Sequence, residues 1–203
     1  MDGAMAVARP VNFVSMTLPR ESGSLAAAGE PGPGSDQVLV EPYRPAWPGQ
    51  FRVEAEVLRT ALAVLAPRIE HFGSTAVPGL AAKPIVDILL GVRQPADVDA
   101  HAARLRNFGY VLAPHAGYDG DERRFLVRTV RGVRTHHVHV VDVVSKAWHR
   151  LLLFRDLLRM DAQLAVEYGN LKRTLAARHA KNRIAYSAGK TAFIQAVLGV
   201  QLA

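Results

Sequence analysis

The stretch His71 to Leu90, HFGSTAVPGLAAKPIVDILL, decides how the rest of this chain is read. Gly73 and Ser74 open a turn, Pro78 and Gly79 interrupt the segment after it, and Lys83 precedes a proline. Asp87 then stands inside the apolar run PIVDILLGV. Such a run, bounded by turn residues, reads as a central strand covered on both faces. A carboxylate there is costly unless it is paired, hydrogen-bonded or bound to a cation. Two readings therefore stand: Asp87 accepts hydrogen bonds from a loop, or it meets a cation that the protein uses.

Side-chain alternation sorts the neighbouring segments. Ile85, Asp87 and Leu89 share one face of their strand, with Val86, Ile88 and Leu90 opposite. In RIEHFGS, Glu70, Phe72 and Ser74 face one way and Ile69 and His71 the other. In THHVHVVD, His137 and His139 share a face, opposite His136, Val138 and Val140. If these strands are neighbours, a carboxylate, a hydroxyl and two imidazoles converge at one end of a sheet; spacing alone does not fix that pairing. The parts are complementary. A Gly-Ser turn lets backbone N–H groups approach a phosphate, and a strand carboxylate suits Mg²⁺. Neutral imidazoles suit a borderline metal or proton transfer near neutrality. The plainer reading makes His-x-His an exposed strand face, and makes Tyr168, Lys172, Tyr186 and Lys190 the wet side of helices.

Away from this centre the chain divides in three. Residues 1–36 end in ESGSLAAAGEPGPGSD and read as a disordered extension. Residues 37–144 alternate strand and helix: a short strand QVLVEPY, a helix through PGQFRVEAEVLRTALAVLA, the strands RIEHFGS and PIVDILLGV, and a helix PADVDAHAARLRNFG closed by Gly109. The strands YVLA, RFLVRTV and THHVHVVD complete this part. Residues 145–203 are helical throughout, in three segments. The expected fold is an α/β core with a mixed sheet and a C-terminal helical bundle.

At 203 residues the chain suits one well-buried core. The absence of cysteine excludes disulfides and thiolate metal sites and fits a reducing compartment. No run approaches the roughly 18 apolar residues of a membrane span, and no secretory signal is visible, so the expectation is a cytoplasmic protein that does not enter membranes. The net charge of +7 fits a groove that attracts phosphate, on a nucleotide or on a polymer, and fits equally an arginine-rich composition with no such role.

The runs VEPYRPAWPGQF, IEHFGSTAVPGLAAKPIVDILLGV, GYVLAP, ERRFLVR, THHVHVV, FRDLLR and EYGNLKRTLA together resemble the GrpB family, over about residues 38–198. That family is classed with the polymerase-beta type of nucleotidyltransferases, whose pattern is an apolar residue, Gly, Gly or Ser, a gap, and Asp-apolar-Asp/Glu. Phe72-Gly73-Ser74 and Asp87-Ile88 match it; Leu89 stands where the second carboxylate belongs. The resemblance implies metal-dependent transfer of a nucleotidyl group from a nucleoside triphosphate to an acceptor it does not name. Asp87, Ser74 and His139 would be catalytic, with Asp87, His137 and His139 on Mg²⁺, Mn²⁺ or Zn²⁺. Gly73, Ser74, Lys83, Arg124, Lys172 and Lys190 would hold the nucleotide. With Leu89, three accounts stay open: imidazoles replace the missing carboxylate, Glu70 or Glu41 completes the acidic set, or the site binds without catalysis. The last would suit a phospho-ligand module linked to coenzyme A synthesis, since GrpB-like domains occur fused to dephospho-coenzyme A kinase. RNA binding is the remaining, less favoured alternative.

Overall fold

A computed structural model describes residues 37–114 and 123–200; the N-terminal extension lies outside the described residues. Within them, five strands form one mixed sheet: β1 (Arg68–Phe72), β2 (Val86–Val92), β3 (Tyr110–Leu112), β4 (Arg123–Val130) and β5 (Val133–Asp142). Their spatial order is β1-β2-β5-β4-β3, with β2 and β5 parallel and every other pair antiparallel. The expected α/β architecture with a mixed sheet is what the chain forms. The apolar run around Asp87 sits second in the sheet, flanked on both sides, as its composition requires.

One sheet face is covered by α1 (Trp47–Ala61), a 3₁₀ segment (Pro95–His101) and α2 (Ala102–Asn107). Leu58 and Leu62 pack there on Val86, Ile88, Leu90 and Val138, all completely buried or nearly so. This is the largest apolar cluster, and its burial is the main driving force for the fold. Buried Glu54 on α1 accepts a hydrogen bond from Tyr110 Oη at 2.7 Å and pairs with Arg128, so the carboxylate enters this core satisfied.

The opposite face carries α3 (Lys146–Met160), α4 (Ala162–Arg178), α5 (Arg183–Ala188) and α6 (Thr191–Val200). Ser145, Asp161 and Asn182 each accept a hydrogen bond from the first turn of the following helix, which fixes three of these starts. Trp148 of α3 packs on Phe72, Leu89 and Val141, while α4 and α6 meet Val77 and Leu80 of the loop after β1. No helix among the described residues is long and apolar enough to cross a membrane.

Three expectations are corrected. QVLVEPY forms a single bridge, Glu41 to Ala82, instead of a strand, because Pro42 interrupts its donors. The segment after β2 begins as a 3₁₀ helix and becomes α-helical only from Ala102. The last helical segment is split at Gly189 and Lys190 into α5 and α6.

Candidate functional site

Sheet register brings the sequence motifs together. Asp87 stands opposite Phe72 on β1 and His137 on β5, and Leu89 stands opposite His139. Because parallel β2 and β5 share this register, Asp87, His137 and His139 project from one face. Asp87 Oδ1 lies 3.5 Å from His137 Nδ1. One ligand atom from each of Asp87, His137 and His139 falls within 4.8 Å of the other two. Phe125 holds both imidazoles in place, with its ring centroid 5.0 Å from each.

The Gly-Ser turn is pressed onto this cluster. Gly73 has φ +67° and ψ −168°, a conformation that essentially only glycine adopts. A Cβ placed on it would lie 2.7 Å from Asp87 Oδ2. Ser74 comes next, at the start of a short 3₁₀ turn. The turn is anchored from behind: Arg159 of α3 donates to Ala76 O at 2.9 Å, and Arg155 donates to His71 O at 2.9 Å.

Ser74, Asp87, Phe125, His137 and His139 form one wall of a cavity of about 360 Å³, while Gly73 lies behind Asp87 and does not line it. The other walls bring Lys83, Arg134, Lys172, Arg183 and Lys190 to the same space. Among the described residues, five cationic side chains thus face a single carboxylate. Lys83 and Lys190 lie on the Tyr186 ring, 5.5 Å and 4.7 Å from its centroid. Lys172 donates to Ala81 O and lies 4.8 Å from the Tyr168 ring centroid.

The crowding sets the protonation states. Burial, then the charge of Lys190, lowers Lys83 to about 8 and Lys172 to about 7. Burial also lowers Lys190 and His137, so the His137 ring is neutral with its lone pair available. Burial alone would raise Asp87, but the hydrogen bond with His137 and the surrounding positive charge outweigh it and keep the carboxylate ionised. Nε2 of His137 is buried and makes no hydrogen bond to any described residue. An ionised carboxylate beside two imidazoles, one of them neutral with an orphaned nitrogen, fits a borderline divalent cation such as Mn²⁺ or Zn²⁺. Mg²⁺, which favours oxygen ligands throughout, fits less well.

Not every expected residue arrives here. Arg124 lies on the opposite sheet face, with Nε 2.8 Å from Asp99 Oδ1 and Nη2 2.8 Å from Asp99 Oδ2. Glu70 and Glu41, the candidates to replace the missing carboxylate, pair with Arg155 and Arg44. Lys172, Tyr168 and Tyr186 are buried, not the wet side of helices, because α4 and α5 pack their inner faces around the cavity. Arg134 and Arg183 join the site without any signal in the motifs. Arg134 reaches it because of a bulge: Arg128 pairs with His136 but Thr129 pairs with Arg134, so one residue is skipped and the parity of β5 inverts.

Leu89 is completely buried beneath Trp148. Helix α3 approaches so closely that a Cβ on Gly91 would lie 2.6 Å from Trp148 Cζ3. The cavity therefore ends at Asp87 and His139, and position 89 belongs to the core.

Fold and cavity together define an α/β protein in which five cationic side chains surround a carboxylate and two imidazoles. The chain belongs to the GrpB protein family, whose model matches residues 37–199. A UPF0157 protein of Pseudomonas aeruginosa is 43% identical over 171 residues, which is 83% of this chain and 69% of that protein. The crystal structure of the conserved protein GrpB from Enterococcus faecalis matches with TM-score 0.72 at 37% identity, covering 81% of this chain and 97% of that one. A looser likeness in fold, TM-score 0.48 at 16% identity over 68% of this chain and 43% of the other, is to Cid1 in complex with the UTP analog UMPNPP.

Proposed function

We propose that this cavity binds the phosphates of a nucleoside triphosphate with a divalent cation held by Asp87, His137 and His139, and that it serves nucleotidyl transfer to an acceptor hydroxyl. The observation that carries this reading is the convergence of five cationic side chains on a single Asp/His cluster. A lone carboxylate does not need five cations; a polyanion chelating a metal does. When bound, the cation would offset phosphate charge and lower the cost of bringing an attacking oxygen to the phosphorus. Lys83, Arg134, Arg183 and Lys190 would neutralise the remaining oxygens, and Lys172 would fix the Ala81 carbonyl at the cavity wall. Ser74, which lines the cavity next to Asp87, would donate to a phosphate oxygen. Where it does not ligate the cation, the imidazole of His139 would accept the proton of the acceptor hydroxyl.

Isothermal calorimetry with ATP, GTP, CTP and UTP, in Mn²⁺, Zn²⁺, Mg²⁺ or EDTA, tests this. Binding that needs a divalent cation and is lost in Asp87→Ala is expected. Equal binding in EDTA, or by the variant, would refute the assignment. A second reading, a phospho-ligand-binding module without catalysis, is favoured by Leu89, an apolar core residue that offers no ligand atom where the nucleotidyltransferase pattern has its second carboxylate. It predicts the same binding with no pyrophosphate released in the presence of any acceptor.

A further inference from the structure

A second cavity, of about 180 Å³, adjoins the first. Lys83, Ile85, Arg134 and Arg183 line both, so the two spaces are chambers on either side of a cationic partition. Their chemistry differs. The first holds the Asp/His cluster and most of the positive charge. The second adds one polar side chain, Gln37, and the apolar Val38, Leu39, Pro84 and Val133, from the N-terminal segment, the entry to β2 and the start of β5.

We propose that the second chamber receives the nucleobase of a nucleotide whose phosphates occupy the first, so that the substrate class is a nucleotide and not a bare polyphosphate or phosphosugar. This rests on the phosphate reading under Proposed function. Apolar walls beside two guanidinium groups suit a planar heterocycle: the ring loses water-exposed apolar surface, and guanidinium planes stack on π faces. Together the chambers fall within the roughly 300–1,000 Å³ common for small-molecule sites. Arg134 is the pivot of the arrangement, since the bulge in β5 is what places it on the partition.

The test compares inorganic tripolyphosphate with ATP and UTP by calorimetry on the full chain with Mn²⁺. Tripolyphosphate carries the phosphates without the base and with more charge, so charge alone makes it the tighter ligand. A base chamber makes at least one nucleotide bind about tenfold tighter or more. Leu39 is 57% exposed, so filling the chamber with Leu39→Trp is compatible with folding; circular dichroism checks that. In that variant the ratio of nucleotide to tripolyphosphate affinity is expected to fall from about tenfold to about one or below, and Val133→Trp should do the same. If tripolyphosphate binds as tightly as every nucleotide, the base chamber is wrong and the phosphate reading survives. A ratio unmoved by both variants overturns the chamber's location. If no polyanion binds, both readings fall.

Discussion

Gly73 and Asp87 are in mutual contact: the α-carbon face of the one leaves no space for a side chain beside the carboxylate of the other. The turn and the acidic strand are thus one device, joined by the pairing of Phe72 with Asp87. Gly73→Ala must both leave its glycine-only conformation and displace Asp87. The expected cost is about 1–3 kcal/mol from the backbone alone, read from urea denaturation, together with a loss of metal affinity. A variant with unchanged metal affinity would separate the turn from the site.

Leu89→Asp restores the acidic spacing on paper. Because Leu89 lies wholly within the core under Trp148, the new carboxylate would be buried without a partner. Destabilisation of about 3–5 kcal/mol is expected, with no gain in metal binding. A stable variant that binds a second cation would show that α3 can yield and that the site is merely short of a ligand.

Tyr110→Phe removes the hydrogen bond to buried Glu54 on the far sheet face. The expected loss is about 1.5–3 kcal/mol, since the acceptor is charged. Nucleotide affinity should be unchanged, because the sheet separates this pair from the cavity. An effect on affinity greater than on stability would contradict that separation.

The cavity lysines give ligand binding and stability opposite pH dependences. Lys83 and Lys172 are cations below about 8 and about 7 and neutral above. Affinity for tripolyphosphate should therefore fall as the pH rises through 7 to 8. Without ligand, each lysine binds fewer protons folded than unfolded between its folded value and about 10.4. Stability from these groups accordingly rises with pH over that window. Thermal midpoints at constant ionic strength check the sign, and Lys172→Met should flatten the rise while raising the midpoint at neutral pH.

Alternation puts His137 and His139 on one face of their own strand, but it is the parallel pairing of β2 with β5, which spacing does not fix, that brings Asp87 to that face. The same parity on RRFLVRTV separates Arg124 from Phe125, so the position of Arg124 away from the cavity is legible in its own strand. Arg134 is not legible: a skipped pairing at Thr135 inverts parity, and bulges leave no mark in residue type there. Nor is the burial of Lys172 and Tyr186. Their helices are short or mixed in polarity, and which side faces the sheet is settled by packing of α3 to α6 around the cavity, not by periodicity.

Every functional role proposed for the cavity depends on Asp87 and its two imidazoles forming a cation site. Titration with Mn²⁺, followed by electron paramagnetic resonance, tests this most directly on the full chain and on Asp87→Asn, which keeps the side chain's shape. Saturable Mn²⁺ binding with nitrogen hyperfine coupling from imidazole is expected, lost in the variant while its circular dichroism is unchanged. Mn²⁺ that binds the variant as tightly, or bound Mn²⁺ without nitrogen coupling, would contradict a cation site at Asp87.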